Sequence, residues 1–381
     1  MKKIYILSLF LLLVSYADDK ILQKDRLDDF DLSLQKIEKE SFKESLLWIN
    51  PIGLSYIKNE NENIENEQFM VSIDQPIFKS GGIYHAVRYA TVNEKYQKLN
   101  NKLQKRVMIK DAYKTIFELK KLDINIIKTK LEIQNKNINV KQKKEELLSG
   151  FTNISTLNSA IMELNRYKTA NIDLQMQKEI LLNSFKNLSD KNYKTFALPK
   201  LSLKLKKIKI NNDLYIKRAI QSKELLRYRK NLIISNYLPT LSLTYNYIDD
   251  MQNDQQTNTR GFKVSMPLNV TVFQDIQSAK ISYLRAKTKL KLDKNKQKRY
   301  YKRVFRKLRF LDKKIEIEKE NIAFYEKLLQ DIKEQKAAGF KSSDDIKVIA
   351  NSKMIESLNL KLYKIDKNIE LLELYSIQDE L

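Results

Sequence analysis

"VSIDQPIFKSGG", from Val71 to Gly82, sets Val71 and Ile73 against Ser72 and Asp74, then meets Pro76, an apolar pair and two adjacent glycines. Alternation with a period of two reads as a strand. Beyond Gly82 there is no Gly or Pro until Gly150. A stretch that long without a breaker reads as one continuous helix. "FKVSMPLN", from Phe262 to Asn269, repeats the order of strand, proline and long helix in shorter form. How these two junctions are read decides the fold.

The other breakers fall in step with them. The six glycines are Gly53, Gly81, Gly82, Gly150, Gly261 and Gly339, and the five prolines are Pro51, Pro76, Pro199, Pro239 and Pro267. From Pro76 to Gly150 is 150 − 76 = 74 positions, and from Pro267 to Gly339 is 339 − 267 = 72. This is an internal duplication of a large unit, with Pro199 in the joint. The breaker-free runs 83–149 and 268–338 each extend roughly 100 Å as helices. Within the second, Tyr301, Val304, Leu308, Leu311, Ile315, Ile322, Tyr325, Leu329 and Ile332 follow steps of three and four, with one turn skipped at Glu318. Ile355, Leu358, Leu362, Ile365, Ile369 and Leu372 make a matching seam, and such seams call for neighbouring helices.

A plain coiled coil would satisfy the helices but not the strands. "LPTLSLTYNYID" places Leu241, Leu243, Tyr245 and Tyr247 on one face. Phe262, Val264, Met266 and Leu268 alternate likewise, as do Trp48, Ile52, Leu54 and Tyr56, and Phe69, Val71 and Ile73. Each strand is about long enough to cross a bilayer at a tilt, with aromatics suited to the lipid interface. The segments "NENENIENEQ" and "DDMQNDQQTNT" read as polar loops between paired strands. Four strands cannot close a pore, and an open sheet edge in lipid leaves backbone groups unpaired. Several chains must therefore share one barrel, and three would give twelve strands.

The domain organisation follows. "MKKIYILSLFLLLVSYADDK" has a basic start, an apolar run and small residues at Ser15 and Ala17, so residues 1–17 read as a cleaved signal peptide. Residues 18–198 form the first repeat, with strands at about 46–58 and 67–78 and a hairpin tip near 150. Residues 199–211 are the linker. Residues 212–381 form the second repeat, with strands at about 238–249 and 259–268 and a tip near 339.

Composition removes several classes of function. No cysteine is present, which excludes disulfides, thiolate metal sites and a cysteine nucleophile. The single His85 leaves no multi-histidine metal centre. No Ser/His/Asp set, Gly-rich phosphate loop or positioned carboxylate pair stands out, so neither an enzyme nor a bound cofactor is expected. The net charge of +24 falls to +22 when Lys2 and Lys3 leave with the signal. An exported chain seldom meets nucleic acid, so the charge reads as a solvated, lysine-rich helical surface. His85 is expected to be a satisfied interface residue.

In this order, the motifs resemble those of the TolC-like outer-membrane efflux and secretion channel family. They are "VSIDQPIFKSGG", "VSMPLNVTVFQDIQSAKISYLRAKTKL", "NYLPTLSLTYNY", and the two tips "LLSGFTNISTLNSAIMELNRYKTAN" and "AAGFKSSDDIKVIANSKMIES". The resemblance covers nearly the whole mature chain, although the portion before the first strand is shorter than in the family. It implies a mainly α chain with membrane β: a homotrimeric twelve-stranded barrel in outer-membrane lipid, continuous with a long periplasmic α-helical barrel. The chain would be the passive exit duct of a tripartite efflux pump or type I secretion system, working with a periplasmic adaptor and an inner-membrane transporter of the RND or ABC class. A periplasmic coiled-coil adaptor or structural protein is the alternative. An adaptor, however, would carry Gly-rich β-domains that six glycines do not supply.

The resemblance also carries site residues. Pro76, Gly81, Gly82 and Pro267 would be the strand–helix junctions, the chain leaving the sheet at each proline. Gly150, Phe151, Gly339 and Phe340 would be adaptor-contact tips. At the periplasmic entrance, Lys341 matches the family's basic position and Asp345 its first acidic position. The second acidic position falls on Val348, leaving neighbouring Asp344 as the substitute, and the acidic partner in the first tip falls on Thr156. The plain alternative at Lys341, Asp344 and Asp345 is a solvated turn with Ser342 or Ser343 capping the next helix.

Overall fold

The structure, a computed structural model, describes residues 21–61, 64–196, 199, 201 and 212–378. The expected signal peptide lies outside the described residues, as does most of the expected linker. Six α-helices and four strands follow in order: α1 (Lys24–Leu46), β1 (Gly53–Asn61), β2 (Ile64–Phe78), α2 (Gly82–Leu148), α3 (Ile154–Lys186), α4 (Leu214–Ser235), β3 (Thr240–Asp250), β4 (Gln255–Ser265), α5 (Val272–Ala337) and α6 (Ser343–Ser376). A 3₁₀ turn, Tyr193–Thr195, follows α3. The long helices α2 and α5 contain 67 and 66 residues.

The described residues fall into two compact units. One takes its described residues from the ranges 21–27, 105–201 and 298–378, the other from 28–104 and 212–297. Each unit therefore draws on both expected repeats, because a helix of about 100 Å runs far beyond any one compact body.

The first unit is helical. Its α6 joins α2 through Lys121–Asp366 at 2.8 Å, Lys114–Glu373 at 3.2 Å and Asn351 to Asn135 at 2.8 Å. It joins α5 through Lys307–Glu370 and Lys367–Asp312. On its other side α2 meets α3, where Lys178 pairs with Asp123 at 2.7 Å and the Asn171 amide donates to the Ile126 carbonyl at 3.1 Å. The helices thus lie in the order α3–α2–α6–α5. Ile116, Phe117 and Leu119 of α2, Val304 and Leu308 of α5, and Leu358, Leu371 and Leu374 of α6 are buried between them. The apolar steps of three and four put these residues on facing stripes, and burying those stripes, rather than local propensity, holds such helices together.

The second unit carries one antiparallel sheet in the order β1-β2-β3-β4. In this unit α1 packs on the start of α2. Ser41 Oγ donates to the Ala90 carbonyl at 3.1 Å, and Lys98 pairs with Glu38 at 2.6 Å. Arg218 of α4 donates to Asn100 of α2 at 3.2 Å. Asp213, fully buried, caps α4 by accepting from the Tyr215 and Ile216 backbone N–H groups at 2.8 and 3.2 Å.

The strands depart from the expected bounds. The first begins at Gly53 rather than near 46, because α1 runs to Leu46 and turn bonds from Leu47 and Ile49 use up the next backbone groups. Trp48 and Ile52 therefore lie outside it. The segments expected as polar loops are mostly strand. β1 reaches Asn61 and β2 starts at Ile64, while β3 reaches Asp250 and β4 starts at Gln255. A ladder joins backbone groups, so polar side chains do not end it. Asp250 closes the second turn by accepting from Gln252 N, Asn253 N and Asn253 Nδ2, at 3.2, 3.2 and 2.9 Å. β4 stops at Ser265, leaving out Met266 and Leu268, because Ser265 pairs with Thr240 and the ladder ends there, next to Pro239 and Pro267.

Candidate functional site

Three places hold the residues singled out from the sequence: the junctions between strand and helix, one face of the sheet, and the tips of the helical hairpins.

At the first junction the chain does not leave the sheet at Pro76. Pro76 stands opposite Ser242 within β2, a bulge shifts the register between Pro76 and Phe78, and the exit comes after Phe78. Proline lacks an N–H, and a bulge accommodates that loss without ending the strand. The turn itself is made by Ser80 and Gly81, with φ of 42° and 84°. Gly81 supplies the left-handed conformation without strain. Ser80 is held there by donating from Oγ to the Pro239 carbonyl at 2.7 Å, which ties the junction to the start of β3. Gly82 has a different reason to be glycine. A Cβ there would stand 2.8 Å from Ser235 Oγ and 3.1 Å from Lys79 Cγ. Ser80 and Ser235 were not singled out from the sequence, since a lone serine carries no signal of either contact.

The second junction needs no glycine. After Pro267, Asn269 Oδ1 accepts from Thr271 N at 3.0 Å, and Thr271 Oγ1 donates to Asp275 at 3.1 Å. The Tyr237 hydroxyl donates to the same carboxylate. Side-chain capping here does what a left-handed residue does at the first junction.

His85 lies one turn into α2. Its ring lies beside Tyr84 and Tyr228, and its Nδ1 is buried with no hydrogen-bond partner among the described residues. Burial, then Arg227 and Lys230, holds its pKa below the usual histidine range, so the ring is neutral near pH 7.

The register sorts the sheet into two faces, because directly opposite residues share a side. Leu54, Val71 and Tyr247 stand in one row, Gln75, Leu243 and Phe262 in another, and Phe78, Leu241 and Val264 in a third. The opposite face is more polar, with Ser72 and Asn246, Asp74 and Thr244, and Ser242 and Lys263, although Met70 and Ile248 pair on it toward the turn end. There Lys263 pairs with Asp74 at 2.9 Å. The apolar face is open, with Leu54 68% and Phe262 73% exposed. β1 and β4 each have one edge unpaired within the chain. Among the described residues no helix is long and apolar enough to cross a membrane.

The two tips are near copies of one another. At the first, Gly150 takes φ 75°, its N–H donates to the Leu147 carbonyl at 3.1 Å, and the Phe151 N–H donates to Glu146 at 2.8 Å. At the second, Gly339 takes φ 86°, donating to Lys336 at 2.9 Å, and Phe340 donates to Gln335 at 2.9 Å. Both are Schellman closures with glycine at the left-handed position. Three residues after each glycine comes an N-cap, Asn153 or Ser342. Phe151 and Phe340 project outward, 86% and 80% exposed.

Both acids at the second tip have partners within the chain, and so does Thr156 at the first. Ser342 and Asp345 form a reciprocal capping box. Asp345 N donates to Ser342 Oγ at 3.2 Å, and Asp345 Oδ2 accepts from Ser342 N and Oγ at 2.8 and 2.9 Å. Those bonds, with Lys341 nearby, hold the Asp345 carboxyl below the usual aspartate range. Asp344 instead pairs with Lys141 of α2 at 3.1 Å. Thr156 donates from both N and Oγ1 to Asn153 Oδ1, at 3.0 Å each. Lys341 is exposed.

No protein-family model matches the sequence, and no curated protein matches it. Solved structures match in fold. The outer membrane protein VceC from Vibrio cholerae aligns with a TM-score of 0.75 at 12% identity, covering 97% of this chain and 97% of that one. The Campylobacter jejuni CmeC outer membrane channel aligns at 0.67 and 14% identity, covering 96% of this chain and 86% of that one. The open state of the Neisseria gonorrhoeae MtrE outer membrane channel aligns at 0.69 and 11% identity, covering 96% and 90%. At such identities the likeness establishes the fold.

Proposed function

We propose that this chain, which has the fold of TolC-like outer-membrane channels, is itself an outer-membrane channel and serves as the passive exit duct of an efflux or secretion assembly. The observation that carries the reading is the sheet. Its apolar, aromatic face is uncovered and its two edges are unpaired, and each long helix follows directly from a strand. An open apolar sheet is unstable in water, and its open edges are unstable in lipid. Three copies joined edge to edge, β4 of one to β1 of the next, remove both problems and give twelve strands around a pore.

In this reading lipid covers the Leu54–Phe262 face, and the helices extend the duct into the periplasm. The tips bearing Gly150–Phe151 and Gly339–Phe340 meet a periplasmic adaptor, and an inner-membrane transporter supplies the energy. Exposed phenylalanines on rigid Schellman turns suit apolar docking. Thr156, Asp344 and Asp345 are each engaged within the chain. A gate at the entrance would therefore work by releasing these local bonds, with Lys341 the cation left to face a neighbouring copy.

The test is reconstitution of the full chain in planar bilayers, with the mass of the detergent-solubilised particle measured in parallel. A trimer with stable ion conductance supports the proposal. A water-soluble monomer without conductance overturns it and favours a periplasmic structural role.

A further inference from the structure

Glu318 interrupts an apolar seam. Tyr301, Val304, Leu308 and Leu311 of α5 are buried in turn, and Glu318 continues the same stripe at only 8% exposure. A carboxylate on such a stripe is costly unless it is paired or protonated. The neighbour that acts on it is a second acid, Glu356 of α6. Two ionised carboxylates cannot bond, since neither has a hydrogen to give. A bond between them, which would relieve the buried charge, therefore requires a proton on one of them.

The surroundings fit that requirement. Among the described residues, no N–H or O–H reaches the buried Oε2 of Glu318. On α6, Glu356 Oε2 accepts from Asn359 Nδ2 at 2.9 Å. On α2, the Lys128 ammonium donates to Asn359 Oδ1 at 2.9 Å rather than to either acid. On α5 itself, the uncharged Asn321 favours the charged form of Glu318. The charged groups acting on Glu318 are thus Glu356 and, more weakly, Lys128. Burial first, then the bond to Glu356 and its charge, push the Glu318 carboxyl up to about 7.

We propose that Glu318 and Glu356 are a proton-held latch between the two arms of the second hairpin, α5 and α6. With one proton between them, the acids bond and the seam is closed. When that proton passes to water, two like charges face each other in a buried stripe, and the arms separate locally. The hairpin that ends at Gly339 is then firm in mildly acidic medium and loosened in alkaline medium. The proposal depends on the helical packing and not on the channel reading.

Hydrogen–deuterium exchange on the full chain in detergent tests it, with rates corrected for the intrinsic effect of pH. Between about pH 6 and about pH 8.5, peptides spanning residues 311–325 and 349–363 are expected to lose roughly tenfold protection. Peptides from α1 are expected to keep theirs. Glu318→Gln retains a donor toward Glu356 at every pH and removes the loss. Glu356→Gln removes the repulsion from the other side and also flattens the response. The latch is overturned if wild-type protection in these peptides is flat with pH, if α1 loosens equally, or if either variant loses protection as the wild type does.

Discussion

The approach of α4 to the first junction can be tested at a single atom. In Gly82→Ala the new Cβ would lie 2.8 Å from Ser235 Oγ. That is well inside ordinary contact, and Ser235 is 2% exposed, so the oxygen has little room to retreat. Its hydroxyl also donates to the Leu232 carbonyl at 2.8 Å. Rotating it away sacrifices that bond, about 1 kcal/mol. Moving α4 instead incurs an overpacking cost of about 1–3 kcal/mol. Gly82 has no left-handed φ, so alanine meets no backbone strain and regains a few tenths of a kcal/mol of helix propensity. The net expectation is a loss of about 1–2 kcal/mol.

Ser235→Ala removes the obstructing oxygen. Alone it is expected to cost about 1 kcal/mol through the lost hydrogen bond. Combined with Gly82→Ala it is expected to cost about 1 kcal/mol less than the sum of the two single changes. The assay is denaturant unfolding of all four proteins at one concentration in one detergent, comparing midpoints at constant slope. Simple additivity, or a Gly82→Ala protein as stable as the wild type, would refute a close approach of α4 to α2 at this point.

The tips make a second test. Gly150→Ala and Gly339→Ala meet no atom within 4 Å, so only the left-handed backbone is penalised, and each is expected to destabilise its tip by about 1 kcal/mol, read as faster amide exchange there. Equal effects at the two tips are expected from their matching φ values of 75° and 86°. The capping box predicts an acid dependence. Because the Asp345 carboxyl is held low in the folded chain, its contribution is complete above the ordinary aspartate range and lost as pH falls through the lowered value. Ser342→Ala is expected to cost about 1 kcal/mol near neutral pH and to abolish most of this acid-side loss, as measured by thermal unfolding against pH.

The glycine and proline spacing made the helices and tips legible. Gly150 and Gly339 each stand three residues before an N-cap, and that local chemistry needs no tertiary information. Strand faces were legible too, since Leu54, Leu243, Phe262 and Val264 alternate with polar neighbours. Strand ends were not. Pairing partners set them, which is why Ser265 ends β4 although Met266 and Leu268 continue the alternation. Pro76 misled for the same reason: its place in β2 depends on Ser242 of β3, and the bulge that accommodates it cannot be read from one strand. At the tips, spacing identified Asp344 and Asp345 but not their partners. Lys141 lies 203 positions from Asp344 in the chain.

By itself, then, the sequence determined which segments are helix and strand, where the hairpins turn, and which side of each element is apolar, because these depend on residue conformation and local periodicity. Tertiary structure alone decided that α6 lies between α2 and α5, that Leu54, Val71, Leu243 and Phe262 share one uncovered face, and that Glu318 lies near Glu356. Each of these is a meeting of residues distant in the chain. Such a meeting is set by which faces bury each other, and no local pattern contains that.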